Sequence, residues 1–212
     1  MLTDKRALKD LTLDDIRAAL QKPLPGLAAQ IKLAPDIRVE SLRATPPVDA
    51  RTAGVLILLY PHNGVWYFPL IRRAEDGLTH GGQISLPGGS QEPGESLQET
   101  ARREACEEIG AACADVALLG QLSTIYIPPS NFLVTPTVGY ADQRPDFRCD
   151  PREVAELIEV PLSTLFDPQV VKREPWTLRG TTVEVPFYQV GPHKVWGATA
   201  MILSEFSLVL AE

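Results

Sequence analysis

The stretch Leu86-Pro-Gly-Gly-Ser-Gln-Glu-Pro-Gly-Glu95, together with the helix predicted directly after it, decides the fold of this chain. Ser96 and Glu99 form the capping-box pattern S-x-x-E, which marks the first turn of a helix. Gly110 falls where a left-handed glycine commonly ends a helix. We therefore expect a glycine-rich loop followed by a helix of about residues 97–109.

One border of this predicted helix is acidic. An apolar stripe recurs at helical spacing and consists of Leu97, Ala101, Ala105 and Ile109. Glu104 and Glu108 lie one turn apart at the edge of that stripe, and Glu107 lies beside them. Like charges at this spacing cost ~0.2–0.5 kcal/mol even on an exposed helix, so we expect a cation among them. Clustered carboxylate oxygens suit Mg²⁺ or Mn²⁺, although three glutamates alone would also fit a solvated acidic face.

Two further features of the segment favour chemistry over a solvated face. The glycines before the helix let backbone groups approach a phosphate or a metal closely. Arg103 can neutralise part of the acidic charge and hold a carboxylate such as Glu95 in place.

The amino-acid composition and net charge of the chain exclude several classes of protein. The chain has 212 residues, of which 44% are hydrophobic and 22% charged, which predicts an ordinary globular chain of one domain or one domain with an appendage. The formal net charge of −7 argues against a nucleic-acid binder. No apolar run approaches the length of a membrane span, and the first residues lack a signal-peptide pattern. Three cysteines without CxxC spacing fit a reducing compartment, so we expect a cytoplasmic protein without a membrane partner.

The chain divides by pattern into two parts. Residues 1–50 are predicted to form an N-terminal helix and a proline-rich arm packed on a domain of residues 51–212. Apolar patterning predicts strands at 54–60, 65–71, 116–122, 133–140 and 183–190, and a final helix at about 200–210. The Asn63-Gly64 pair predicts a hairpin turn, and Pro69 predicts an edge or a bulge. Together these elements predict a mixed α/β (α+β) sandwich.

The spacing of the central segment resembles a known family signature. Gly89-x5-Glu95-x7-Arg103-Glu104-Ala105-Cys106-Glu107-Glu108-Ile109-Gly110-Ala111 is similar to the Nudix box, GX5EX7REUXEEXGU, at every fixed identity. The two positions that usually hold bulky aliphatic residues are alanines here, Ala105 and Ala111. The resemblance implies the Nudix fold, a mixed β-sheet sandwiched between α-helices. It also implies metal-dependent hydrolysis of a nucleoside diphosphate linked to another moiety.

The resemblance assigns roles by position. Glu104 and Glu108 would be the main ligands of Mg²⁺ or Mn²⁺, with Glu107 and the carbonyl of Gly88 assisting. Glu107, Glu108 and Arg103 would form the catalytic set of the box, in which Arg103 and Glu95 organise the junction of loop and helix. The family often supplies a catalytic base from a loop after the box, and Glu153 is the first candidate here, with Glu156 second.

A second pattern upstream resembles the signature of coenzyme A pyrophosphatases. The positions that fit are Arg73, Ala74, Gly82, Pro87, Gly88 and Gly89. The second signature arginine falls at Leu78 and the signature phenylalanine at Leu86. The resemblance implies cleavage of coenzyme A or acyl-CoA to 3′,5′-ADP and (acyl-)4′-phosphopantetheine.

Candidate substrate-binding residues lie near this signature and just before a later predicted loop. Arg73, Arg72 and His80 could bind phosphate, and Tyr126 could stack on a base. The alternatives are arginines that cap a strand edge, a structural loop histidine and a core tyrosine.

Two rival functions stay open at this point. The chain could be a Nudix pyrophosphatase for ADP-ribose, dinucleoside polyphosphates or oxidised nucleotides, or a non-catalytic Nudix-fold nucleotide sensor. The complete set of box glutamates argues against the sensor. We expect a small-molecule nucleotide as substrate, and the sequence leaves a homodimer open.

Overall fold

A computed structural model describes residues 11–75, 81–110, 116–178 and 180–211. The α-helices in these ranges are α1 (Leu13–Leu20), α2 (Leu27–Gln30), α3 (Asp36–Arg43), α4 (Leu97–Ile109) and α5 (Gly197–Ala211). The strands are β1 (Arg51–His62), β2 (Val65–Arg73), β3 (Ile84–Ser85), β4 (Gly88–Ser90), β5 (Ala117–Gln121), β6 (Ile125–Ile127), β7 (Phe132–Tyr140), β8 (Val154–Pro161), β9 (Val171–Leu178), β10 (Thr181–Val190) and β11 (His193–Trp196). Short 3₁₀ turns cover Ile31–Leu33, Leu162–Phe166 and Pro168–Val170.

The strands form one large mixed sheet and one small antiparallel sheet. The large sheet runs in the order β3-β2-β1-β7-β5, while β4, β6 and β8 pair with β1, β7 and β2 respectively. Its β1–β7 pair is parallel and its other pairs are antiparallel. The small sheet runs β11-β10-β9. This architecture confirms the predicted α/β class with a mixed sheet between helices.

Strand β1 lies at the centre because both of its faces are buried. Leu56 packs with Ala105 of α4 in one apolar cluster. Ile57, its neighbour in the strand, packs with Phe206 of α5 in the other cluster. Alternate residues of a strand point to opposite faces, so β1 is the layer that separates the two helices. At Gly54 a Cβ atom would overlap the backbone of α4, which shows how closely that helix lies on the strand.

The local turn and helix signals are confirmed. Asn63 and Gly64 have φ angles of 50° and 74°, and they join β1 to β2 as the Asn-Gly pair predicts. Helix α4 spans Leu97–Ile109, has the Ser96 capping box and ends at Gly110 in the left-handed conformation.

Pro69 lies inside β2 and neither at a sheet edge nor at a bulge, so that prediction is wrong. On one side Pro69 is opposite Glu159 of β8. On the other side β2 pairs with β1 only as far as Tyr67, and with β3 from Ile71 onward. On that second side Pro69 lies in the short stretch between the two pairings, and the register shift of β2 lies further along, between Arg72 and Arg73.

The proline-rich segment contains two helices that the sequence pattern did not predict, α2 and α3. Pro35 occupies the N-cap of α3 and so begins a helix instead of breaking one. Buried residues of this segment and of α1 join the apolar cluster around α5; they are Ile16, Leu20, Leu33 and Leu42. The division into an arm and a domain at residue 50 stays a prediction.

A buried carboxylate holds the N-terminal segment to α5. Glu205 is fully buried and accepts hydrogen bonds from the backbone N–H groups of Gly26 and Ser123, at 3.1 and 3.3 Å. The side-chain amide of Gln30 donates to the other oxygen of Glu205 at 2.8 Å and to the carbonyl of Ser123 at 3.1 Å. Gly26 can present its N–H here because its φ of 55° favours glycine.

We predict that Gln30→Ala lowers the free energy of unfolding by about 2–3 kcal/mol, since it removes a hydrogen bond to a buried carboxylate. The matched control is Gln21→Ala, which truncates an exposed glutamine at the end of α1 and should change stability by less than about 0.5 kcal/mol. Urea unfolding followed by circular dichroism measures both variants. Equal midpoints for the two variants would contradict the assigned role of Gln30.

Candidate active site

The predicted loop and helix pack so closely against each other that only glycine fits at their contact. Strand β4 pairs with the start of β1, and α4 packs against both strands. A Cβ atom at Gly89 would overlap the carboxylate of Glu104, and one at Gly88 would overlap the carbonyl of Gly54. The glycines of the loop therefore let the acidic border of α4 lie directly against the β4 backbone.

Arg103 organises the carboxylates of this junction. Its Nε donates to Glu95 Oε1 at 2.6 Å, and its Nη1 donates to Glu104 Oε1 at 2.8 Å and to Glu107 Oε2 at 3.1 Å. Its Nη2 donates to the carbonyl of Ser90 at 3.1 Å. The Arg103 guanidinium lowers the pKa of Glu95 to about 2, so this carboxylate stays ionised at neutral pH. The predicted contact between Arg103 and Glu95 is present.

Glu108 is the most deeply buried acid of the box, with 1% of its side chain exposed. The Gly88 N–H donates to its Oε2 at 2.8 Å, and Arg73 Nη1 donates to its Oε1 at 3.1 Å. Burial raises the pKa of Glu108 to about 7, although these two donors act in the opposite direction. Burial also raises the pKa of Glu104, and the charge of Glu153 adds to the rise in both pKa values.

The donor set of this site fits a hard divalent cation. All of the acidic groups offer oxygen ligands, and the missing side chain at Gly89 leaves the Glu104 carboxylate against the backbone. Within the described residues no three acidic, histidine or cysteine side chains stand in a preformed metal cage. Arg103 contacts Glu104 and Glu107, while Arg73 contacts Glu108.

The family model of the NUDIX domain matches residues 50–179, which is more than half of the chain. The chain belongs to the Nudix family. A Nudix hydrolase of Pectobacterium atrosepticum, NudL, itself uncharacterized, is 34% identical over 193 residues, covering 86% of this chain and 91% of that protein. The human mitochondrial coenzyme A diphosphatase NUDT8 is 34% identical over 173 residues, covering 80% of this chain and 71% of that protein. The predicted resemblance to the Nudix superfamily, and within it to the coenzyme A group, is confirmed.

Membership of the Nudix family establishes the class of reaction. The chain is a hydrolase that acts on phosphorus-containing anhydrides, its substrates are small nucleotide molecules, and enzymes of this family generally use divalent metal ions. In the part of the chain that the structure describes, no helix is long and apolar enough to cross a membrane.

Two of the other predicted residues lie beside the Nudix box. Arg73 ends β2 and contacts Glu108. Glu153 is exposed directly before β8, and its carbonyl accepts a hydrogen bond from the N–H of Ala74 at 2.8 Å. Arg73 of the upstream signature and Glu153 of the later loop therefore lie at the same end of α4.

The remaining candidates lie elsewhere. Arg72 pairs with Glu156 at 2.9 Å, and Glu156 also contacts His193 of the small sheet at 3.3 Å. Tyr126 lies on β6 and donates to Asn131 at 3.0 Å. Because β7 and β1 separate β6 from β4, Tyr126 is three strand spacings, roughly 14 Å, from the glycine loop. His80, Leu78 and Ala111 lie outside the described residues.

Sequence reasoning missed two polar residues that support the box. The buried hydroxyl of Thr100 donates to Glu95 Oε2 at 2.9 Å. Gln91 receives a hydrogen bond from the hydroxyl of Thr52 at 2.6 Å and donates to the Glu95 carbonyl at 2.5 Å. Thr100 lies one turn before Glu104, and this spacing could have indicated it. The role of Gln91 depends on how the loop crosses β1 and has no local signal.

We predict that Arg103→Lys lowers the free energy of unfolding by about 1–2 kcal/mol, because lysine cannot reproduce the planar fork that serves four partners. Arg102→Lys is the matched control, since Arg102 is the exposed neighbour on the same helix and should change stability by less than about 0.5 kcal/mol. Urea unfolding in the presence of EDTA measures the effect without a contribution from bound metal. A wild-type midpoint for Arg103→Lys would refute the organising role.

Proposed function

We propose that this Nudix enzyme hydrolyses the diphosphate of coenzyme A or of an acyl-CoA, giving 3′,5′-ADP and 4′-phosphopantetheine or its acyl form. The observation that carries the proposal is the contact between Arg73 and Glu108. It brings the arginine of the coenzyme A signature into contact with a glutamate of the Nudix box, which supports a single site built from both motifs.

The fold of the upstream signature supports this assignment. The N–H of Arg73 donates to the Gln83 carbonyl at 3.0 Å, and the Gly82 N–H donates back to the Arg73 carbonyl at 3.0 Å. These bonds close the base of the connection between β2 and β3, where Gly82 adopts a φ of 73°. The signature therefore fixes the base of a loop next to Glu108. The likeness to NUDT8, which is named for coenzyme A, extends over most of this chain.

We assign the metal-binding role to Glu104 and Glu108, with Glu107 and the Gly88 carbonyl assisting, and Mg²⁺ or Mn²⁺ as the ion. A divalent cation held there would neutralise the diphosphate oxygens and acidify the attacking water. Arg103, which Glu95 holds, contacts both Glu104 and Glu107.

Glu153 is the proposed general base. It is the exposed carboxylate whose charge acts on both Glu104 and Glu108, and it lies outside the arginine contacts that occupy the box glutamates. In the proposed step it takes the proton of a water molecule whose oxygen bonds to one phosphorus. The bond from that phosphorus to the bridging oxygen breaks, and the other phosphate leaves.

Arg73 is the proposed phosphate-binding residue because it contacts a glutamate of the box, whereas the partner of Arg72 is Glu156, which lies outside the box. His80 and Tyr126 remain candidates for a phosphate contact and for base stacking. Tyr126 donates to Asn131 and His80 lies outside the described residues, so the assignment of the substrate does not depend on them.

We predict that Glu108→Gln abolishes hydrolysis of coenzyme A while leaving the fold intact, because the amide cannot supply the negative charge that holds the cation. The control is Glu184→Gln, which alters an exposed glutamate of β10 and should retain full turnover. Product chromatography with coenzyme A, ADP-ribose, a dinucleoside polyphosphate and an oxidised nucleotide, each with Mg²⁺ or Mn²⁺, measures the result. Rapid cleavage of ADP-ribose with no action on coenzyme A would refute the proposed substrate but not the Nudix hydrolase assignment.

A separate prediction tests the base. Glu153→Gln should lower kcat by about a hundredfold or more and remove the acidic limb of the pH–rate profile, as loss of a general base does. Glu156→Gln is the matched control, because Glu156 lies three residues on and is paired with Arg72 and His193. An unchanged acidic limb in Glu153→Gln would exclude Glu153 as the base.

A further inference from the structure

Arg73 contacts a glutamate that is a proposed metal ligand. Its Nη1 lies 3.1 Å from Oε1 of Glu108, whose side chain is 1% exposed, while the side chain of Arg73 is 32% exposed. Among the described residues Arg73 is the cation in contact with this carboxylate. The other oxygen of Glu108 is held by the Gly88 N–H. The charge of Glu108 is therefore compensated by one side chain that reaches in from the end of β2.

A guanidinium and a divalent cation cannot share this carboxylate without cost. Both are positive, and in a poorly hydrated site their repulsion is much less screened than in water. Glu108 supplies oxygen Oε1 to Arg73, and the proposed cation needs the same carboxylate. Arg73 has solvent on one side and is therefore free to turn away from Glu108.

We propose that Arg73 is a placeholder counter-ion for Glu108. It neutralises the buried carboxylate in the metal-free enzyme and gives it up when a divalent cation binds, so that the guanidinium becomes available to the diphosphate of the substrate. This inference rests on the proposed function, because it takes Glu108 as a metal ligand and a diphosphate as the anion.

Thermodynamic linkage between metal binding and the Arg73–Glu108 contact determines what should be measured. If Arg73 and the cation compete for Glu108, Arg73 stabilises the metal-free protein and weakens metal binding by the same coupling free energy. The same coupling lets metal binding raise the affinity of Arg73 for an anion. A purely structural arginine at this position would stabilise the protein equally with and without metal.

The first experiment titrates metal-free enzyme with Mn²⁺ alone and follows free Mn²⁺ by electron paramagnetic resonance. All variants are titrated in the same oxygen-free buffer at pH 8.5. Arg73→Gln keeps a hydrogen-bond donor and removes the charge, and it should bind Mn²⁺ about fivefold or more tightly than wild type, within the usual range of coupling between sites. Arg73→Lys keeps the charge and should remain within about twofold of wild type on the same grounds.

Arg72→Gln is the matched control for this titration, because it removes the neighbouring arginine, whose partner is Glu156. It should bind Mn²⁺ as wild type does. Unchanged or weaker Mn²⁺ binding by Arg73→Gln would overturn the inference, whatever substrate the enzyme cleaves.

Thermal unfolding supplies a readout that is independent of turnover. In EDTA Arg73→Gln should unfold at a lower temperature than wild type, and saturating Mn²⁺ should raise its Tm by more than it raises that of wild type. An equal Mn²⁺-induced rise in both proteins would contradict competition for Glu108.

The anion is tested with the product 3′,5′-ADP by calorimetry. Arg73→Gln should weaken its binding about tenfold or more in Mg²⁺, the value of one charge-assisted contact. In EDTA the substitution should have little effect, because Arg73 is then held by Glu108. An equal loss in both conditions would refute the release of Arg73. Failure of 3′,5′-ADP to bind wild type in Mg²⁺ would count against the proposed substrate, and the Mn²⁺ titration would still decide the competition.

Discussion

The contact of α4 with β1 at Gly54 is the constraint on which the site depends. No side chain separates helix from strand there, so the helix axis is fixed close to the sheet. The same closeness brings Glu104 against Gly89 and Glu108 against the N–H of Gly88. A bulkier residue at any of these glycines would lift the acidic border of α4 away from the loop. The small residues Ala101 and Ala105, both buried, serve the same approach on the helix side.

Packing the acidic border of α4 so closely against the loop brings negative charges together, and the arginines of the site compensate them only in part. When ionised, Glu95, Glu104, Glu107 and Glu108 carry four negative charges, and Arg103 and Arg73 supply two positive ones. The four carboxylates therefore keep an excess of negative charge, to which the charge of Glu153 adds. Burial raises the pKa of Glu108 to about 7, so burial opposes the ionised form of this carboxylate.

The sequence predicted the elements whose signals are local. The capping box of Ser96, the left-handed Gly110 and the Asn63-Gly64 turn each act within a few residues, and each is present. Helix α3 was missed because residues 23–50 were interpreted as a proline-rich arm with little periodicity, although Pro35 stands at the start of a helix. Strands β8 and β9 were missed because their exposed polar residues hide the alternation that marks a strand.

The arrangement of the site could be predicted only where the motif itself is local. The spacing of the box placed Glu104, Glu107 and Glu108 on one border of a helix, and the contact of Arg103 with Glu95 could be expected from the same segment. The contact of Arg73 with Glu108 joins residues 35 positions apart, and it depends on how β2 and α4 pack on the sheet. The hydrophobic periodicity of the sequence does not indicate such a long-range contact. For the same reason the distance of Tyr126 from the loop became visible only through the strand order.

The two arginines of the site differ in a way that fits different tasks. Arg103 uses three nitrogens to hold Glu95, Glu104, Glu107 and the Ser90 carbonyl, so releasing it would break several bonds at once. Arg73 holds Glu108 through a single nitrogen and is more exposed than Arg103. An arginine that has one partner and is partly exposed to solvent can exchange that partner at low cost. An arginine with four partners holds them in place. Arg103 therefore serves as the permanent frame of the acidic cluster, and Arg73 is the cation that can change partners between metal-free and substrate-bound enzyme.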